Sequence, residues 1–378
     1  MERANIVIIG GGVVGCAIAL EVSRRWKDTF VLEQMPRPGM ATSTRNSGVI
    51  HSGIYYDYGS LKARHCVEGN RLTYEFCDKH GVPYRRTGKL VVATNEAEER
   101  ELQELLTRGN KNGVAGLRIV DRKRISVREP HVAGRAALEA PSTGIVSAEE
   151  LVKAYARAAI EAGANILTHA RVTGLEASDS GVRVRIEVGD PEDRERIERE
   201  EVEARCVINA AGLFADEVAV LLGNRDYRIY PVRGEYAEIA RTRAHLINGL
   251  VYPLPHRDGL SLGVHLTKTL WGTVLVGPTA RYIQEKNDYE HDRLPVEDFA
   301  YGAKLLLPEI EASDLALAYS GIRPKLVPPG GKGPADFVIA RDPEVPQAIH
   351  LVGIESPGLT AAPSIARHVA AMAAQILR

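Results

Sequence analysis

The chain opens with three blocks in which apolar and polar positions follow different periods. Residues 5–9 form a short apolar run typical of a strand, residues 13–24 have the pattern of a helix, and residues 29–32 form a second strand that ends at Glu33. A strand, a helix and another buried strand in this order predict a parallel βαβ unit. The polar stretch 36–60 comes next, and it is too long to be an idle connection within a compact domain.

The pattern changes in the rest of the chain. Helices are expected at about 60–80 and 95–112, whereas strand-like segments recur from 228 to 276 and favour a mixed or antiparallel sheet. A last strand at 349–352 leads through a Gly/Pro turn into a closing helix, which we expect to begin near Pro363 because proline is common at the first helical position. The pattern therefore predicts an α/β fold with an α+β second lobe.

Two local signals mark the middle of the chain. Ser147 and Glu150 form a capping box that predicts a helix from Ala148 to Ala162, and Gly163 supplies its C-terminal stop. Alternating valine and isoleucine at 182–188 predict a half-buried strand. The charge run 192–201 after it is interpreted as an exposed hairpin arm rather than a binding site.

Composition narrows the class of protein. Of the 378 residues, 48 are basic and 49 acidic, which leaves a net charge of -1. A general nucleic-acid binder usually carries a basic excess, so no nucleic-acid partner is expected. No stretch has the length of a membrane span or the cleavage site of a signal peptide, which indicates a cytoplasmic protein and leaves peripheral contact with the inner face of a membrane open.

The cysteines are scattered along the chain, at Cys16, Cys66, Cys77 and Cys206. They form no CxxC pair, and no histidines stand at zinc-like spacing, so no metal site is expected. We predict buried free thiols and, from them, a reducing compartment.

A glycine-rich turn links the first strand to the first helix. Gly10, Gly12 and Gly15 match the G-x-G-x-x-G fingerprint: the first permits a tight turn, the second lets a pyrophosphate approach the backbone, and the third allows the helix to pack closely on the strand. The helix N-terminus at Val13 and Val14 offers free N–H groups and the positive end of the helix dipole. The turn predicts a dinucleotide site.

Two further features select the dinucleotide. Glu33 ends the second strand, where a carboxylate accepts hydrogen bonds from ribose hydroxyls and repels a 2′-phosphate. A polar loop follows at once, where an NAD enzyme would continue with further βα units, and no second fingerprint appears. A flavin needs such a loop across its pyrophosphate and ring, so FAD is the predicted cofactor. The loop residues expected to bind it are Thr42, Ser43, Arg45, Asn46, Ser47 and Gly48.

These residues resemble the D-amino-acid-oxidase-like (glycine-oxidase-like) flavoproteins, which carry such a start and a Ser/Thr-rich loop over the flavin. Within that superfamily, the string Arg45-Asn46-Ser47-Gly48-Val49-Ile50-His51-Ser52-Gly53-Ile54-Tyr55-Tyr56 is similar to the L-2-hydroxyglutarate dehydrogenase/oxidase family. The other matching stretches are 59–63, 87–94, 112–114, 141–146, 232–236 and 262–267. The resemblance spans nearly the whole chain, but region 281–301 is shorter than in the family and the ending 356–363 follows the general superfamily pattern.

The resemblance implies two domains and a reaction. A Rossmann-type FAD-binding domain is expected from 1–85, 145–225 and 330–378, and a mixed or antiparallel-sheet substrate-binding domain from 86–144 and 226–329. The implied reaction is oxidation of an L-2-hydroxy acid, with L-2-hydroxyglutarate as the best candidate, by hydride transfer from the substrate Cα to flavin N5. Electrons would pass on to oxygen or a quinone. An amine oxidase (glycine, sarcosine or proline-like substrate) and a glycerol-3-phosphate-dehydrogenase-like enzyme remain open as alternatives.

Such a reaction needs a cation for the substrate carboxylate and a base for the hydroxyl proton. Arg323 is the predicted carboxylate ligand, because an arginine fork binds carboxylate bidentately and the resemblance places a substrate arginine here. Tyr252 is a candidate donor to the same carboxylate. His51 and His265 are candidate bases because histidine titrates near neutrality. His51 is also a candidate for a covalent tether to the flavin.

The remaining expectations concern a second carboxylate and the far side of the cofactor. Lys325 and Arg233 are weaker candidates for a distal substrate carboxylate. In the family, the turn before the closing helix places a helix N-terminus against flavin N1 and C2=O, where its dipole stabilises negative charge. The residues carried over to the cofactor are Gly353, Ser356, Pro357, Gly358, Leu359 and Thr360 at that turn, Val172, Ala211 and Gly212 on the ADP side, and Arg323.

Overall fold

The computed structural model describes residues 2–190, 192–193, 196–255, 263–331 and 333–378. Arg194 and Glu195, in the charge run 192–201, and Leu262, in one of the matching stretches, lie outside the described residues. The helices are α1 (Val13–Ser23), α2 (Leu61–His80), α3 (Glu96–Lys111), α4 (Arg122–Arg128), α5 (Ala148–Glu161), α6 (Ala215–Val220), α7 (Val296–Lys304) and α8 (Gly358–Ile376). The strands are β1 (Glu2–Ile9), β2 (Thr29–Leu32), β3 (Val49–Ile50), β4 (Tyr84–Arg85), β5 (Lys89–Ala93), β6 (Arg118–Asp121), β7 (Ala136–Ala140), β8 (Gly144–Val146), β9 (Ala164–Leu167), β10 (Ala170–Ser178), β11 (Gly181–Val188), β12 (Glu198–Asn209), β13 (Tyr230–Ile239), β14 (Leu250–Pro253), β15 (His265–Lys268), β16 (Val274–Gly277), β17 (Arg281–Tyr282), β18 (Leu315–Lys325), β19 (Val338–Arg341) and β20 (Ala348–Val352).

The first large sheet forms around the N-terminal βαβ unit. Its strand order is β10-β11-β12-β1-β2-β9, with β20 parallel to β12 and β19 antiparallel to β20. β1 pairs in parallel with both β2 and β12, so Ile6, Val7 and Ile8 are fully buried. α1 is apolar on nearly every side because it packs among the sheet, α5 and α8. The predicted βαβ unit is confirmed.

The second large sheet has the order β17-β13-β16-β15-β14-β5-β7-β6, with β18 beside β13. Most of its pairs are antiparallel, whereas β5 and β14 are parallel, which confirms the predicted mixed sheet. One face packs on α7, where Phe299 is fully buried in a cluster with Leu306 and Leu307. A small sheet of β3, β8 and β4 completes the strands. The α/β class with a mixed-sheet second lobe is therefore confirmed.

The closing helix begins five residues earlier than predicted. α8 starts at Gly358, and Pro363 lies inside it. Proline removes one helical hydrogen bond, and the tight packing of the first turns compensates for that loss. Thr360 and its neighbours are fully buried against α2, where a Cβ at Gly69 would lie 2.3 Å from the Thr360 carbonyl oxygen. The sequence signal from proline was overridden by this packing.

The capping box of α5 is only half formed. The Ser147 hydroxyl accepts a hydrogen bond from the Glu150 N–H at 3.4 Å, as predicted. The Glu150 carboxylate pairs with Lys153 at 3.0 Å, because the Ser147 N–H donates instead to the Pro83 carbonyl. The helix itself is confirmed, and Gly163 follows it with φ +100.

Three further expectations concern surface and burial. β11 and β12 form the predicted antiparallel arm, and the described residues of the charge run are mostly exposed. All four cysteines are buried and free, as predicted. None of the described helices combines the length and the apolarity needed to cross a bilayer.

Candidate active site

A cavity of about 600 Å³ is walled by residues from both large sheets and from both ends of the chain. Most of the predicted site residues lie in this wall. They are Gly10, Gly12, Val13, Val14, Glu33, Thr42, Ser43, Arg45, Asn46, Ser47, His51, Val172, Ala211, Gly212, Tyr252, His265, Arg323, Ser356, Pro357, Gly358 and Leu359. The predicted cofactor residues that do not line it are Gly15, Gly48, Gly353 and Thr360. These four residues pack against or hydrogen-bond to residues that do line the cavity, or to their neighbours.

The glycine turn suits a pyrophosphate because its glycines have no side chains to keep a ligand away from the backbone N–H groups. Gly10 has φ +105, and a Cβ there would lie 2.6 Å from the Ala210 carbonyl oxygen. A Cβ at Gly15 would lie 2.0 Å from the Gly10 carbonyl oxygen, so Gly15 permits close packing and does not face the cavity. The Val13 N–H at the start of α1 donates to the Ser43 hydroxyl at 2.9 Å, which closes the loop onto the helix N-terminus.

Glu33 is almost fully buried at the edge of the same turn. One carboxylate oxygen accepts the Gly11 N–H at 2.7 Å, and the other accepts the Met35 N–H at 2.8 Å. Burial raises the pKa of this carboxyl, while the two backbone hydrogen bonds oppose the rise. Glu33 thus organises the turn directly, and its bond to a ribose stays a prediction.

The polar loop after β2 is fastened to the second sheet. The Thr42 hydroxyl donates to the Ile322 carbonyl at 3.0 Å, and the Tyr319 hydroxyl donates to the Asn46 carbonyl at 2.8 Å. The Arg45 guanidinium lies over the Tyr289 ring, 4.2 Å from its centre. These contacts hold the loop across the cavity, as a cofactor-covering loop requires.

Two of the glycines behind the wall set the course of the backbone there. Gly48 has φ +63, and a Cβ at this position would lie 2.4 Å from the Val146 carbonyl oxygen. Gly353 has φ +71, and a Cβ there would lie 2.6 Å from the Leu326 side chain. Both residues therefore permit the wall's backbone path rather than contact a ligand.

His51 connects the loop to the N-terminus of α8. Its backbone N–H donates to the Thr360 hydroxyl at 3.0 Å, and its Nε2 lies 3.2 Å from the Ser356 hydroxyl. Its Nδ1 is buried and finds no hydrogen-bond partner among the described residues. Burial lowers the pKa of this imidazole well below its ordinary range, and the charges of Lys89 and Arg323 lower it further.

His265 is held in one tautomer. Its Nδ1 lies 2.9 Å from the Gly263 carbonyl oxygen, so Nδ1 carries the hydrogen and the Nε2 lone pair is free to accept. The ring stacks on Tyr252 at 3.7 Å and 18°. Burial brings the pKa of His265 to about 3, with Arg323 and Lys89 also lowering it, so the ring is neutral at physiological pH.

Arg323 lies in the cavity wall near the end of β18, where it is half-buried. It forms no ion pair with any residue in the described part of the chain, although its charge acts on His51, on His265 and on the Glu355 carboxylate. A half-buried guanidinium with no protein carboxylate at ion-pair distance is suited to an anionic ligand.

Arg233 was wrongly proposed as a ligand for a distal carboxylate. It is completely buried, and its guanidinium pairs with Glu235 at 3.1 Å and with Asp288 at 3.2 Å. Its charge is therefore neutralised inside the protein. The sequence could not show this because the Asp288 partner comes from a loop 55 residues away.

No sequence motif indicates a buried ion cluster that lies beside the cavity. Glu355, in the cavity wall, pairs with Lys62 at 2.9 Å and with Lys325 at 3.4 Å. Lys325 is thus engaged by a protein carboxylate rather than presented to a distal substrate carboxylate. Burial alone would raise the pKa of Glu355, but the two ammonium groups and Arg323 outweigh it and bring that pKa to about 2.

Replacing Glu355 by glutamine is expected to lower the free energy of unfolding by about 3 kcal/mol, since it leaves two buried ammonium groups uncompensated. The folded-state pKa lies below the ordinary value of 4.5, so the pair stabilises the protein above pH 4.5 and loses that contribution as the pH falls towards 2. Urea unfolding at pH 7 and pH 3 measures both effects.

The control is Glu311→Gln, which removes an exposed pair with Lys304 of similar length, 3.0 Å. Its effect is expected to stay below about 0.5 kcal/mol. Equal effects of the two substitutions would contradict the buried role of Glu355.

Comparisons with known proteins agree with this geometry. The family model "DAO: FAD dependent oxidoreductase" matches residues 5–372. The mitochondrial L-2-hydroxyglutarate dehydrogenase of Nematostella vectensis is 35% identical over 99% of this chain and 91% of its own length. The L-2-hydroxyglutarate dehydrogenase of Escherichia coli K12 is 32% identical over 97% of this chain and 92% of its own length.

Solved structures show the same architecture. The L-alpha-glycerophosphate oxidase of Mycoplasma pneumoniae with FAD bound superimposes with a TM-score of 0.87 at 28% identity, covering 100% of this chain and 95% of its own. The glycine oxidase of Geobacillus kaustophilus has a TM-score of 0.80 at 21% identity, covering 99% and 95%, and shares the fold. With the glycine turn, the covering loop and the α8 turn around one cavity, the chain belongs to the DAO family of FAD-dependent oxidoreductases.

Proposed function

We propose that the protein oxidises L-2-hydroxyglutarate to 2-oxoglutarate with FAD. The observation that carries the proposal is the Arg323 guanidinium, which stands in the cavity wall without a carboxylate partner among the described residues and acts on two neutral histidines. An anionic hydroxy acid supplies the missing charge and the proton that a neutral imidazole accepts. Full-length similarity to L-2-hydroxyglutarate dehydrogenases supports this substrate.

The division of work among the residues follows from their positions. Bound in the cavity, FAD supplies the acceptor for the hydride of the substrate Cα. Arg323 binds the C1 carboxylate, and the Tyr252 hydroxyl donates to it. His51 accepts the hydroxyl proton, because its bonds to Ser356 and Thr360 place it beside the N-terminus of α8.

The cofactor contacts predicted from the sequence remain part of this proposal. The α1 turn, Glu33, the covering loop and the ADP-side residues Val172, Ala211 and Gly212 would hold the dinucleotide. The N-terminus of α8, a helix of 19 residues, would stabilise negative charge at the pyrimidine end of the ring. Gly15, Gly48, Gly353 and Thr360 support these contacts indirectly.

Three broader features belong to the same proposal. We place the FAD-binding domain at 1–85, 145–225 and 330–378 and the substrate-binding domain at 86–144 and 226–329, in keeping with the segments that build the two large sheets. Oxygen or a membrane quinone takes the electrons. The buried free thiols support a reducing compartment such as the cytoplasm.

A second candidate is oxidation of glycerol 3-phosphate. It is favoured by the similarity to the L-alpha-glycerophosphate oxidase, which extends over this whole chain. Arg323 would then bind a phosphate, for which a guanidinium is equally suited. Both candidates require removal of a hydride from a CH–OH carbon.

Anaerobic reduction of the bound flavin decides among the candidates. The purified holoenzyme is mixed with L-2-hydroxyglutarate, its D enantiomer, glycerol 3-phosphate, glycine, sarcosine or proline, and the flavin absorbance is followed. We expect bleaching by L-2-hydroxyglutarate, with recovery of 2-oxoglutarate. Bleaching by glycerol 3-phosphate alone would establish the second candidate, and bleaching by an amine alone would overturn both.

A further inference from the structure

Lys89, the first residue of β5, is an unusual lysine because its whole side chain is buried. The exposed fraction of Lys89 is 0%. β5 pairs with β14 on one side and with β7 on the other, so this residue does not lie at an open edge of the sheet. Its ammonium nitrogen finds no hydrogen-bond partner among the described residues. A buried amine of this kind costs folding free energy, which indicates a role other than stability.

The surroundings of Lys89 are aromatic rather than acidic. Its Nζ lies 4.3 Å from the centre of the Tyr55 ring and 4.5 Å from the centre of the Tyr252 ring. No carboxylate of the described residues pairs with it. Two tyrosine faces therefore provide the attraction that holds the amine in place.

Tyr252 connects Lys89 to the reaction site. The Lys89 ammonium lies over the ring of this tyrosine. The same ring stacks on the imidazole of His265, with 3.7 Å between the ring centres. The titratable groups that Lys89 influences are Cys66 on α2, His51 in the covering loop and His265 on β15, and Arg323 on β18 acts on the same two histidines. The charges facing the two histidines are thus predominantly positive.

A base must be unprotonated before it can accept the hydroxyl proton. Burial lowers the pKa of Lys89 to about 7, so the lysine is charged throughout the more acid range in which either buried imidazole would take up a proton. The titrations of Lys89, His51 and His265 are therefore coupled, so the pKa of each depends on the charge of the others. A positive charge on Lys89 makes a second positive charge on either imidazole unfavourable.

We propose that Lys89 is a positioning residue that holds Tyr252 against His265 and keeps His51 and His265 in the neutral, proton-accepting form. It does so without lining the cavity. The inference deepens the proposed function and rests on it for the identity of the reaction. Its direct consequence, the protonation state of two histidines, is measurable without any substrate.

The test compares Lys89→Met and Lys89→Gln, which remove the charge, with Lys89→Arg, which keeps it. Lys111→Met is the matched control, because Lys111 also lies over a tyrosine, 4.5 Å from the Tyr58 ring, but on the surface and away from the cavity. Histidine ring signals are followed by NMR against pH in each holoenzyme and assigned with His51→Asn and His265→Asn. The pH profile of anaerobic flavin reduction is measured in parallel.

Removal of the charge is expected to move the titration of at least one of the two histidines, and the acid limb of the reduction profile, up by about one pH unit. Lys89→Arg and Lys111→Met are expected to leave both unchanged. The use of two neutral variants keeps the test available if one does not fold. Unmoved histidine signals in a folded neutral variant would overturn the inference.

The two failures are distinguishable. If wild-type flavin is not bleached by L-2-hydroxyglutarate, the proposed function fails, while the NMR titration still decides the role of Lys89. If the wild type is bleached and the titrations do not move, only the role of Lys89 fails. A lower rate with an unchanged pH profile would assign Lys89 to packing alone and also contradict the inference.

Discussion

Replacing Arg323 by alanine is expected to lower kcat/KM for L-2-hydroxyglutarate about 100- to 1000-fold. The guanidinium is half-buried and forms no ion pair within the described residues, so under the proposed function the substrate carboxylate would be its ion-pair partner. Removing it leaves the substrate carboxylate desolvated without a bidentate partner. Arg323→Lys is expected to recover only part of the loss, because an ammonium cannot reproduce the two parallel hydrogen bonds.

The measurement separates binding from chemistry. Stopped-flow reduction of the flavin at varied substrate concentration gives the apparent dissociation constant and the limiting rate. Arg367→Ala is the control, since it removes an arginine from the exposed side of α8. If Arg323→Ala is bleached with unchanged apparent affinity, Arg323 does not bind the carboxylate and the reaction centre lies elsewhere in the cavity.

The nucleotide half of the site could be predicted from the sequence because its signals are local. Gly10, Gly12 and Gly15 lie within one turn and match a local sequence motif, although a Cβ would meet Ala210 at Gly10 and Ser43 at Gly12. The same holds for α1 and the covering loop, whose residues are adjacent in the chain. No long-range information was required for these predictions.

The other half depends on contacts that are distant in sequence. His51 and Ser356 are 305 residues apart, and Lys62 and Glu355 are 293 residues apart. The family resemblance supplied His51 and Ser356 as separate site residues, but nothing in the chain indicated the pairing of Lys62 with Glu355. The prediction for Arg233 failed for a related reason: Glu235 is close in sequence, but Asp288 reaches the guanidinium only once β13 and the 283–292 loop are packed together.

The start of α8 shows how packing decides between two local signals. Proline at position 363 favours a helix start, yet Gly69 on α2 lets the preceding turn approach closely enough to be buried. The earlier start brings Gly358 and Leu359 into the cavity wall and moves Thr360 behind it. The helix N-terminus therefore faces the cavity as predicted, with a different residue at its beginning.

Replacing His51 by alanine is expected to lower the limiting rate of flavin reduction by about 100- to 10,000-fold, the range usual for loss of a general base. Replacing His265 by asparagine is expected to lower the same rate by about tenfold or less, because its ring is held against Tyr252 and Gly263 rather than against the α8 turn. A larger loss of rate in His265→Asn than in His51→Ala would assign the base to His265 instead.

The covalent tether is tested separately. Retained flavin colour after acid precipitation of the wild type, and its loss in His51→Ala, would reveal a covalent link at His51.

The pH dependence gives an independent measure of the same residues. Because burial depresses the pKa of His51 and brings that of His265 to about 3, both rings are neutral well below pH 6.5, and the reduction rate is expected to stay level from pH 8 to below 6.5. In the unfolded chain the same histidines bind protons below pH 6.5, so the unfolded state binds more protons than the folded state. The free energy of unfolding must therefore decrease as the pH is lowered through that range. Urea unfolding at pH 7 and pH 5 is expected to show this loss, smaller in His265→Asn than in the wild type. A reduction rate that halves near pH 6.5 would contradict the assignment of the base to either buried histidine.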